Sequence, residues 1–368
     1  MTADHVTRRE RLAAEAAEER LTAVVVAPSP DLVYLTGYGP MPLERLTALV
    51  IPPDGDAVLV VPELERQLAL DSPAGQTLDG HQVVGWRDGE DPYAILASIL
   101  PREGRVAIGD RMWASHVLAL QRTAPAISFE PASEIIGRLR AVKDPDELGA
   151  LRRAARGADE TFRQICSLRF LGRREEEVAE DIARLLVEHG HARADFTIVA
   201  SGPNSASPHH EPSGRTILPR DVVVLDFGGE LAGYFSDTTR TVVVGEAPAG
   251  FEEVYRLVQE AQDAAVKAVR PGVAAQEVDR AARRIIDGAG YGERFFHRTG
   301  HGIGLEVHEP PYIIEGSETV LTPGMTFSVE PGVYVAGRFG VRIEDIVAVT
   351  ADGVERLNRS TRELQIVD

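Results

Sequence analysis

The sequence predicts a protein of two domains, an α/β domain followed by a larger domain of helices and long hairpin strands. At 368 residues the chain is long for one domain and sufficient for two, at roughly 100 to 200 residues each. The first third alternates short apolar runs with helical stretches, which is typical of an α/β domain. The remainder combines helices with strand-like runs joined by glycine-containing turns. We place the domains at residues 1–135 and 136–368.

The α/β prediction for the first domain rests on short apolar runs, each of the length expected for a buried strand. They are TAVVVA (22–27), TALVIPP (47–53), DAVLVVPE (56–63), QVVGW (82–86) and RVAIGD (105–110). The stretches DPYAILASIL and ASHVLALQR are predicted to be helices of the same domain. Residues 1–21 predict a charged amphipathic helix that lacks the apolar core of a signal peptide.

The second domain is predicted to begin with a well-capped helix. Asp144 is the N-cap candidate, Pro145 takes the first helical position, and Asp146 and Glu147 place negative charge in the first turn. The apolar residues that follow step by three and four along one buried face: Leu148, Leu151, Ala155, Ala158 and Phe162. Further helices are predicted at 174–188, 250–269 and 274–289, and strands at 196–201, 221–228, 234–244, 325–335 and 341–349.

The charge and the cysteine content narrow the class of protein. The formal net charge is -18, from 57 acidic against 39 basic residues, which disfavours nucleic acids and anionic membranes as partners because both bind basic surfaces. The single cysteine, Cys166, cannot form an internal disulfide, and its helical context indicates a core residue rather than a nucleophile. No apolar run approaches the roughly 18 residues of a membrane span. We expect a cytoplasmic protein that binds neither nucleic acid nor membrane.

Two aspartates fall in the first long hairpin, DVVVLDFGGELAGYFSDTTRTVVVG. A turn centred between Leu231 and Ala232 would place Asp226 directly opposite Asp237, with Cβ atoms about 4.5 to 5.5 Å apart. Two aspartates so placed repel each other and suit strand interiors poorly, so the arrangement requires a cation nearby. The alternative is that both aspartates lie at strand ends and face water.

A second hairpin, MTFSVEPGVYVAGRFGVRIEDIVAVT, repeats the pattern with glutamates. A turn centred on Gly337 makes Glu330 and Glu344 directly opposed. Four inward carboxylates with histidine and no cysteine cluster describe an oxygen-rich site for two divalent metals such as Mn²⁺, Co²⁺ or Zn²⁺. Two dications would also neutralise the four carboxylates.

The stretch RTGHGIGLEVHEPP (298–311) carries two histidines, His301 and His308. In a plain strand their odd spacing would point the two rings to opposite faces. Either one histidine is structural, or the backbone at Gly302 or Gly304 is redirected so that both rings reach one site.

The contexts GHGIGLEVHEPP, SVEPGVYV and VRIEDIVAVT resemble those of the pita-bread metallopeptidases, in particular the proline-specific branch of Xaa-Pro dipeptidases and aminopeptidases P. The resemblance covers nearly the whole chain, since LVYLTGY is similar to the N-terminal domain of that branch and SGPNSASPHHEPSGR to its substrate-side histidine loop. It implies an α/β creatinase-like domain, then an α+β pita-bread catalytic domain with a pseudo-symmetric antiparallel sheet. It also implies a homodimer.

The resemblance implies five metal ligands: Asp226, Asp237, His301, Glu330 and Glu344. Asp226 would bind one metal, His301 and Glu330 the other, and Asp237 and Glu344 both. The metals, with manganese first and cobalt or zinc as alternatives, would activate the water that attacks the peptide bond.

The resemblance also implies roles for residues around the substrate. His209 and His308 would orient the substrate and stabilise the tetrahedral oxyanion, and Glu330 would carry the proton to the departing amine. Arg342 would support the site or contact the substrate. His210 is expected to stay outside the reaction, and His297 is a candidate to support the ligands from behind.

The implied reaction is hydrolysis of the bond between an N-terminal residue and proline in a short peptide. That bond is a tertiary amide with a conformational preference of its own, so a site shaped for the proline ring can select it. Tyr234, Tyr312 and Tyr334 are candidates to line this pocket. Some dipeptidases of the branch carry an arginine shortly after the HExP segment to read a terminal carboxylate, whereas this chain has Tyr312 there. The absence predicts that tripeptides beginning Xaa-Pro are cleaved at a rate comparable to dipeptides.

Three alternatives compete with this interpretation. A metal-free creatinase-like C–N hydrolase would share both domains but lack the metal ligands. A methionine aminopeptidase would share the metal site but usually lack the long N-terminal domain. A non-catalytic peptide-binding pita-bread module would be expected to have lost ligands. This chain retains all five ligands, which favours the binuclear peptidase.

Overall fold

The computed structural model describes residues 5–53 and 56–368, so residues 1–4 of the predicted N-terminal helix lie outside the described part. The chain divides into two compact units, the first ending at Arg140 and the second beginning at Ala141. This division falls near the end of a helix, Ser133–Ala141. The helix begins before the predicted boundary after residue 135 and continues past it.

The first unit contains a mixed sheet and surrounding helices. Its strands are β1 (Ala23–Val26), β2 (Ala48–Ile51), β3 (Val58–Pro62), β4 (Val83–Trp86), β5 (Gly104–Ile108) and β6 (Ile127–Pro131). Its helices are α1 (His5–Glu18), α2 (Pro30–Thr36), α3 (Glu63–Asp71), α4 (Pro73–Thr77), α5 (Pro92–Ile99), α6 (Ala114–Thr123) and α7 (Ser133–Ala141). The strands form one six-stranded sheet in the order β4–β3–β2–β1–β5–β6.

The α/β class predicted for this unit is confirmed. The apolar runs form β1 to β5, while β6 was not predicted because its sequence, ISFEP, offers only a short apolar signal. Strands β1 and β2 are buried along their whole length, as expected for a sheet with both faces covered.

The second unit begins with helix α8 (Pro145–Ile165), which starts as predicted. The side chain of Asp144 accepts hydrogen bonds from the backbone N–H groups of Asp146 and Glu147, and the Glu147 side chain accepts one from the Asp144 N–H. This reciprocal pair is a capping box, which satisfies backbone donors that the helix itself leaves unbonded. The other long helices are α9 (Glu175–Glu188), α10 (Phe251–Ala268) and α11 (Ala275–Gly288).

Antiparallel sheets make up the rest of this unit. The strands are β7 (Arg193–Ser201), β8 (Val222–Leu231), β9 (Tyr234–Phe235), β10 (Thr238–Val244), β11 (Gly300–Gly302), β12 (Glu309–Ile313), β13 (Thr326–Val329), β14 (Gly332–Val335), β15 (Phe339–Arg342), β16 (Asp345–Val349), β17 (Val354–Arg356) and β18 (Gln365–Val367). One sheet has the order β18–β10–β8–β7 with β9 beside β8, a second has the order β12–β11–β13–β16–β17, and β14 pairs with β15. Of the pairings in these sheets, only that of β10 with β18 is parallel.

The two halves of the second unit repeat one arrangement, in agreement with the pseudo-symmetric sheet that the resemblance implies. Helices α8 and α9 precede the sheet of β7 to β10, and helices α10 and α11 precede the sheet of β11 to β17. Before α9 and α11 the chain turns at Gly172 and Gly272, with φ of 82° and 85°. The N–H groups of these glycines donate to Ile217 O and Leu321 O. Residues at matching positions of the two halves can therefore be compared with each other.

The core of the second unit packs helices against strands. In one cluster, Phe251 and Val258 of α10 and Val278 of α11 are buried with Phe327 of β13 and Val347 of β16. This packing fixes the strands that carry the polar residues described next. Among the described residues, no helix combines the length and the apolar character needed to cross a bilayer.

Candidate metal centre and active site

A cavity of about 360 Å³ in the second unit brings together the residues that the sequence pointed to. All five predicted ligands line it: Asp226, Asp237, His301, Glu330 and Glu344. His209, His308 and Arg342 line the same cavity. Its volume lies within the roughly 300 to 1,000 Å³ typical of small-ligand sites.

The first hairpin carries its two aspartates to the cavity in a register that differs from the predicted one. Asp226 on β8 pairs with Thr239 on β10, so the prediction that it directly opposes Asp237 is wrong. The turn lies at Ala232 and Gly233, whose φ values of 54° and 84° form a tight hairpin turn one residue later than predicted. Asp237 lies between β9 and β10, two residues before Thr239, so the alternation of side chains along the strand places it on the same face as Asp226.

The second hairpin has the predicted register. Strand β13 pairs with β16, and β14 pairs with β15, in one continuous register about Gly337. Glu330 and Glu344 occupy opposed positions in the gap between the two ladders. There the Glu330 N–H donates to Thr299 O at 2.8 Å, and the Glu344 N–H donates to Thr239 O at 3.0 Å. These bonds tie both glutamates to neighbouring segments instead of to each other.

The two histidines reach one place because the backbone is redirected between them. The register of β11 with β12 shifts between His301 and Gly302, which forms a bulge. The ring centroids of His301 and His308 are 3.9 Å apart. The interpretation that both rings reach one cavity is therefore confirmed.

The bulge requires glycine at residue 302, because backbone atoms of Glu309 and Pro310 lie too close to it to leave room for a side chain. A Cβ at Gly302 would lie 2.2 Å from Pro310 O and 2.5 Å from Glu309 O, and both are backbone atoms. We expect Gly302→Val to displace both histidines and so to reduce metal content and turnover together, measured by elemental analysis and by hydrolysis of a proline dipeptide. The matched control is Gly288→Val, where an added Cβ meets no atom within 4 Å. Full metal content in Gly302→Val would contradict this account.

Asp226 and Glu344 are each anchored through one carboxylate oxygen, and the other oxygen is left without a partner. Arg342 Nη2 donates to Asp226 Oδ2 at 2.5 Å, and Thr239 Oγ1 donates to Glu344 Oε2 at 2.6 Å. Asp226 Oδ1 and Glu344 Oε1 are buried and accept no hydrogen bond from any described group. Buried polar atoms are nearly always satisfied in proteins, so these two oxygens fit ligands of a cation.

His301 presents a ring nitrogen to the same cluster. Its Nδ1 lies 3.1 Å from Gly302 O, and since a carbonyl oxygen only accepts, this nitrogen donates. Its Nε2 lies 3.2 Å from Glu330 Oε1 and 3.6 Å from Asp237 Oδ2. With Nδ1 as the donor to Gly302 O, Nε2 is the nitrogen that faces the carboxylates and that a cation would bind.

The possible ligand atoms form three overlapping groups, within each of which all atoms lie within 4.8 Å of one another. The groups are Asp226, Asp237 and Glu344; His301, Glu330 and Glu344; and Asp237, His301 and His308. Asp237, His301 and Glu344 each belong to two groups, and of these only the two carboxylates have a second oxygen with which to bind a second cation. The third group places His308 close enough to compete for the role of ligand.

The crowded carboxylates change one another's pKa. Burial, followed by the charges of Glu344 and Asp226, raises the pKa of Asp237 well above its ordinary value. Burial and the charge of Glu330 do the same to the pKa of Glu344. Burial raises the pKa of Glu330, but the hydrogen bond and charge of His301, together with the charges of His297 and Arg342, outweigh burial and lower this pKa to about 2. A divalent cation would relieve this repulsion.

Arg342 lies beside the cluster of carboxylates and binds Asp226, which agrees with the predicted supporting role. Besides Asp226 it donates from Nη1 to the Tyr334 hydroxyl at 2.8 Å and from Nε to Thr239 Oγ1 at 3.1 Å. The Tyr334 hydroxyl in turn contacts His297 Nε2 at 2.9 Å. The guanidinium is thus hydrogen-bonded to one candidate ligand, Asp226, and to Thr239, which also donates to a second, Glu344.

The structure places none of the three candidate tyrosines among the described residues that line the cavity. Tyr312 is 41% exposed, and its ring lies 4.6 Å from the guanidinium of Arg298. Tyr234 donates to Glu147 Oε1 at 2.7 Å. Tyr334 is buried and contacts Arg342, which lines the cavity. Tyr312 does not line the cavity itself, but its ring lies against Arg298, which does, so its contact with the substrate stays a prediction.

Sequence reasoning missed several lining residues. They are Asp195, Phe196, Ile198, Arg298 and Val307. Arg298 lies in the same glycine-rich stretch as His301, and its charge was the available signal. The others come from β7 and from the loop before β12, which adjoin the site only after folding.

Comparison with known proteins agrees with this geometry. Residues 149–351 match Metallopeptidase family M24, and residues 8–142 match the Creatinase/Prolidase N-terminal domain. The "Probable dipeptidase PepE" of Mycobacterium tuberculosis is 45% identical, over 99% of this chain and 97% of that protein. The "Xaa-Pro dipeptidase" of Lactobacillus delbrueckii subsp. lactis is 37% identical, over 95% of this chain and 96% of that protein.

A solved structure shares the fold of the whole chain. The crystal structure of dipeptidase PepE from Mycobacterium ulcerans has a TM-score of 0.95 and 43% sequence identity, and the match covers 100% of this chain and 98% of that one. The family matches span both units, and the cavity lies within the residues matched to the peptidase. The chain therefore belongs to metallopeptidase family M24, in its proline-specific pita-bread branch.

Proposed function

We propose that this chain hydrolyses the bond between the N-terminal residue and proline in short Xaa-Pro peptides, with two divalent metal ions. One observation carries the proposal. Four carboxylates and His301 converge on one cavity, and Asp226 Oδ1 and Glu344 Oε1 are buried there without partners. The names of the relatives, dipeptidase and Xaa-Pro dipeptidase, support the same substrate class.

The overlapping groups of ligand atoms support a division of the ligands between two metals. We assign Asp226 to one metal, His301 and Glu330 to the other, and Asp237 and Glu344 to both. An oxygen-rich set with one imidazole suits Mn²⁺ first, with Co²⁺ or Zn²⁺ as alternatives. When bound, the pair supplies a water of lowered pKa and polarises the scissile carbonyl.

Glu330 is the residue that moves the proton. Ser328 Oγ donates to its Oε1 at 3.0 Å, and His301 also faces that oxygen. The other oxygen, Oε2, is thus the one that takes the proton from the attacking water and passes it to the proline nitrogen. The proline nitrogen needs this proton because it leaves as an amine.

His308 and His209 serve the substrate. Burial, then the neighbouring His301, lowers the pKa of His308 to about 4, so the ring is neutral at neutral pH. A neutral imidazole keeps one N–H, which can donate to the oxygen of the carbonyl under attack. His209 faces the same cavity and orients the peptide.

The test is hydrolysis measured beside metal content. We expect protein loaded with Mn²⁺ to cleave Ala-Pro, and to leave Ala-Ala largely intact, with two metal ions per chain by elemental analysis. Activity that survives complete metal removal would instead favour a creatinase-like C–N hydrolase. Tight binding of Ala-Pro without cleavage by the loaded protein would favour a peptide-binding module.

Two further expectations belong to this proposal. The resemblance implies a homodimer, which light scattering with size-exclusion chromatography would test. The composition favours a cytoplasmic location, which cell fractionation would test.

The cavity also revises the expectation about substrate length. Arg298 is a half-buried cation on the cavity wall, and among the described residues no hydrogen bond or ion pair joins its guanidinium to a carboxylate. Arg342 is engaged by Asp226, and Arg338 donates to Ala249 O. We therefore propose that Arg298 binds the terminal carboxylate of a dipeptide, in place of the arginine absent at position 312.

The expected result is that Arg298→Met raises KM for Ala-Pro about 10-fold, close to the loss of one charge-assisted hydrogen bond. The same variant should cleave Ala-Pro amide, which lacks the carboxylate, as the unchanged enzyme does. Arg338→Met is the matched control, because Arg338 does not line the cavity. An equal loss on both substrates would exclude carboxylate reading, and a loss confined to Asp-Pro would assign Arg298 to an acidic first residue.

A further inference from the structure

We propose that Glu175 is a positioning residue that holds the histidine loop, residues 201–213, in the shape that presents His209 to the substrate. The inference rests on the function proposed above. It assigns a role to a carboxylate that lies outside the metal cluster and does not line the cavity.

Glu175 is the fully buried first residue of α9, and its two oxygens accept six hydrogen bonds from the histidine loop. Oε1 accepts from the backbone N–H and the hydroxyl of Ser201, both at 2.7 Å, and from Asn204 Nδ2 at 3.0 Å. Oε2 accepts from His210 Nε2 at 2.9 Å, and from the backbone N–H and the hydroxyl of Ser213 at 3.1 and 2.6 Å. One side chain thus closes the loop at its start, middle and end.

These bonds indicate that the Glu175 side chain holds the loop as an ionised carboxylate. An ionised carboxylate only accepts, and all six contacts are donors to it. Burial by itself raises the pKa of Glu175, but the hydrogen bonds from Ser213, Ser201 and His210 outweigh it and lower the pKa to about 2. A buried carboxylate is costly unless so satisfied.

The other half of the unit shows that the fold itself does not require this carboxylate. At the matching position, the first residue of α11 is Ala275. The backbone is bonded in the same way in both halves: the Glu175 N–H donates to Arg215 O at 3.1 Å, and the Ala275 N–H donates to Thr319 O at 2.9 Å. Alanine suffices to begin the helix there, so the acid at Glu175 serves the loop.

The part of the loop that contacts the active site is residues 205–209. Pro208 and His209 line the cavity, and Pro208 O accepts from Arg342 Nη1 at 3.3 Å. The Gly340 N–H donates to Ser205 Oγ at 2.9 Å. His209 therefore lies between contacts to the metal-bearing hairpin and the anchor at Glu175, and its position depends on both.

The experiment is a double-mutant cycle between Glu175→Ala and His209→Ala. We expect Glu175→Ala to retain two metals per chain and to lower kcat/KM for Ala-Pro by roughly 10- to 100-fold, the size expected for a misplaced substrate contact. In the His209→Ala background the same change should cost less than about 3-fold, because the residue it positions is gone. Hydrogen exchange in residues 201–213 should become faster. Glu176→Ala, which removes a neighbouring carboxylate that pairs with Arg174 and not with the loop, is the matched control and should change none of these.

The outcomes separate the possible explanations. Losses from Glu175→Ala and His209→Ala that multiply fully, or unchanged exchange in residues 201–213, would overturn the positioning role. If His209→Ala alone is fully active, the proposed role of His209 fails, and the exchange measurement still decides whether Glu175 orders the loop. Should Glu175→Ala not fold, Ser213→Ala removes one of the six donors and should give a smaller loss of the same kind.

Discussion

Removal of the metals should abolish hydrolysis of Ala-Pro and lower the melting temperature in the same sample. Without cations the carboxylates of Asp226, Asp237, Glu330 and Glu344 remain crowded. At an effective dielectric near 20, a like-charge pair about 4 Å apart costs on the order of 4 kcal/mol before protonation relieves it. Metals that bind only the folded protein add stability that chelation removes. Activity, calorimetry and elemental analysis before and after dialysis against a chelator provide the measurement.

The loss of stability should depend on pH with a definite sign. The pKa values of Asp237 and Glu344 are raised in the folded protein. Groups with raised pKa favour folding at low pH, and that contribution is lost as the pH rises through their folded pKa values. The metal-free protein should therefore be less stable at pH 8 than at pH 5 relative to the loaded protein. Full activity in a thoroughly chelated sample would contradict the two-metal mechanism.

Replacement of His301 and of His308 should have different consequences. His301→Ala removes the nitrogen that faces Glu330 and Asp237, so one metal should be lost together with activity. His308 lines the cavity but is not one of the five assigned ligands. His308→Ala should keep near-normal metal content and lose roughly 10² to 10³ in turnover, the size expected for one missing oxyanion donor. Elemental analysis and kcat for Ala-Pro distinguish the two variants.

A histidine outside the site provides the control for this pair. His189 contacts Gln164 Oε1 at 3.0 Å and does not line the cavity, so His189→Ala should keep both metal content and turnover. Equal loss of metal in His301→Ala and His308→Ala would make His308 a ligand, as their proximity permits. An unimpaired His308→Ala enzyme would leave this ring without a part in the reaction.

The second hairpin shows what a sequence pattern can predict about a site. Strand-like runs on both sides of AGRFG predicted a turn at Gly337 with Glu330 opposite Glu344, and the paired strands have that register. In the first hairpin the same reasoning misplaced the turn by one residue. Sequence alone did not show that Ala232 adopts positive φ, nor that the strand breaks before Asp237. The aspartates still meet because Asp237 is two residues from Thr239, the partner of Asp226, and therefore lies diagonally across from Asp226 on the same face.

The sequence by itself determined the α/β class of the first unit and, within a residue, the starts of the long helices of the second unit, and together with the family resemblance it supplied the five metal-binding candidates. Local periodicity, capping residues and turn residues are properties of short segments, so they can be read from the chain. Tertiary structure alone decided which residues share the cavity with those candidates. Arg298 was found on the cavity wall, and Glu175 was connected to the loop of His209. Both findings depend on segments that are distant in sequence: the packing of α9 brings Glu175 within hydrogen-bonding distance of the loop, and the sheets bring Arg298 to the same cavity as the candidate ligands.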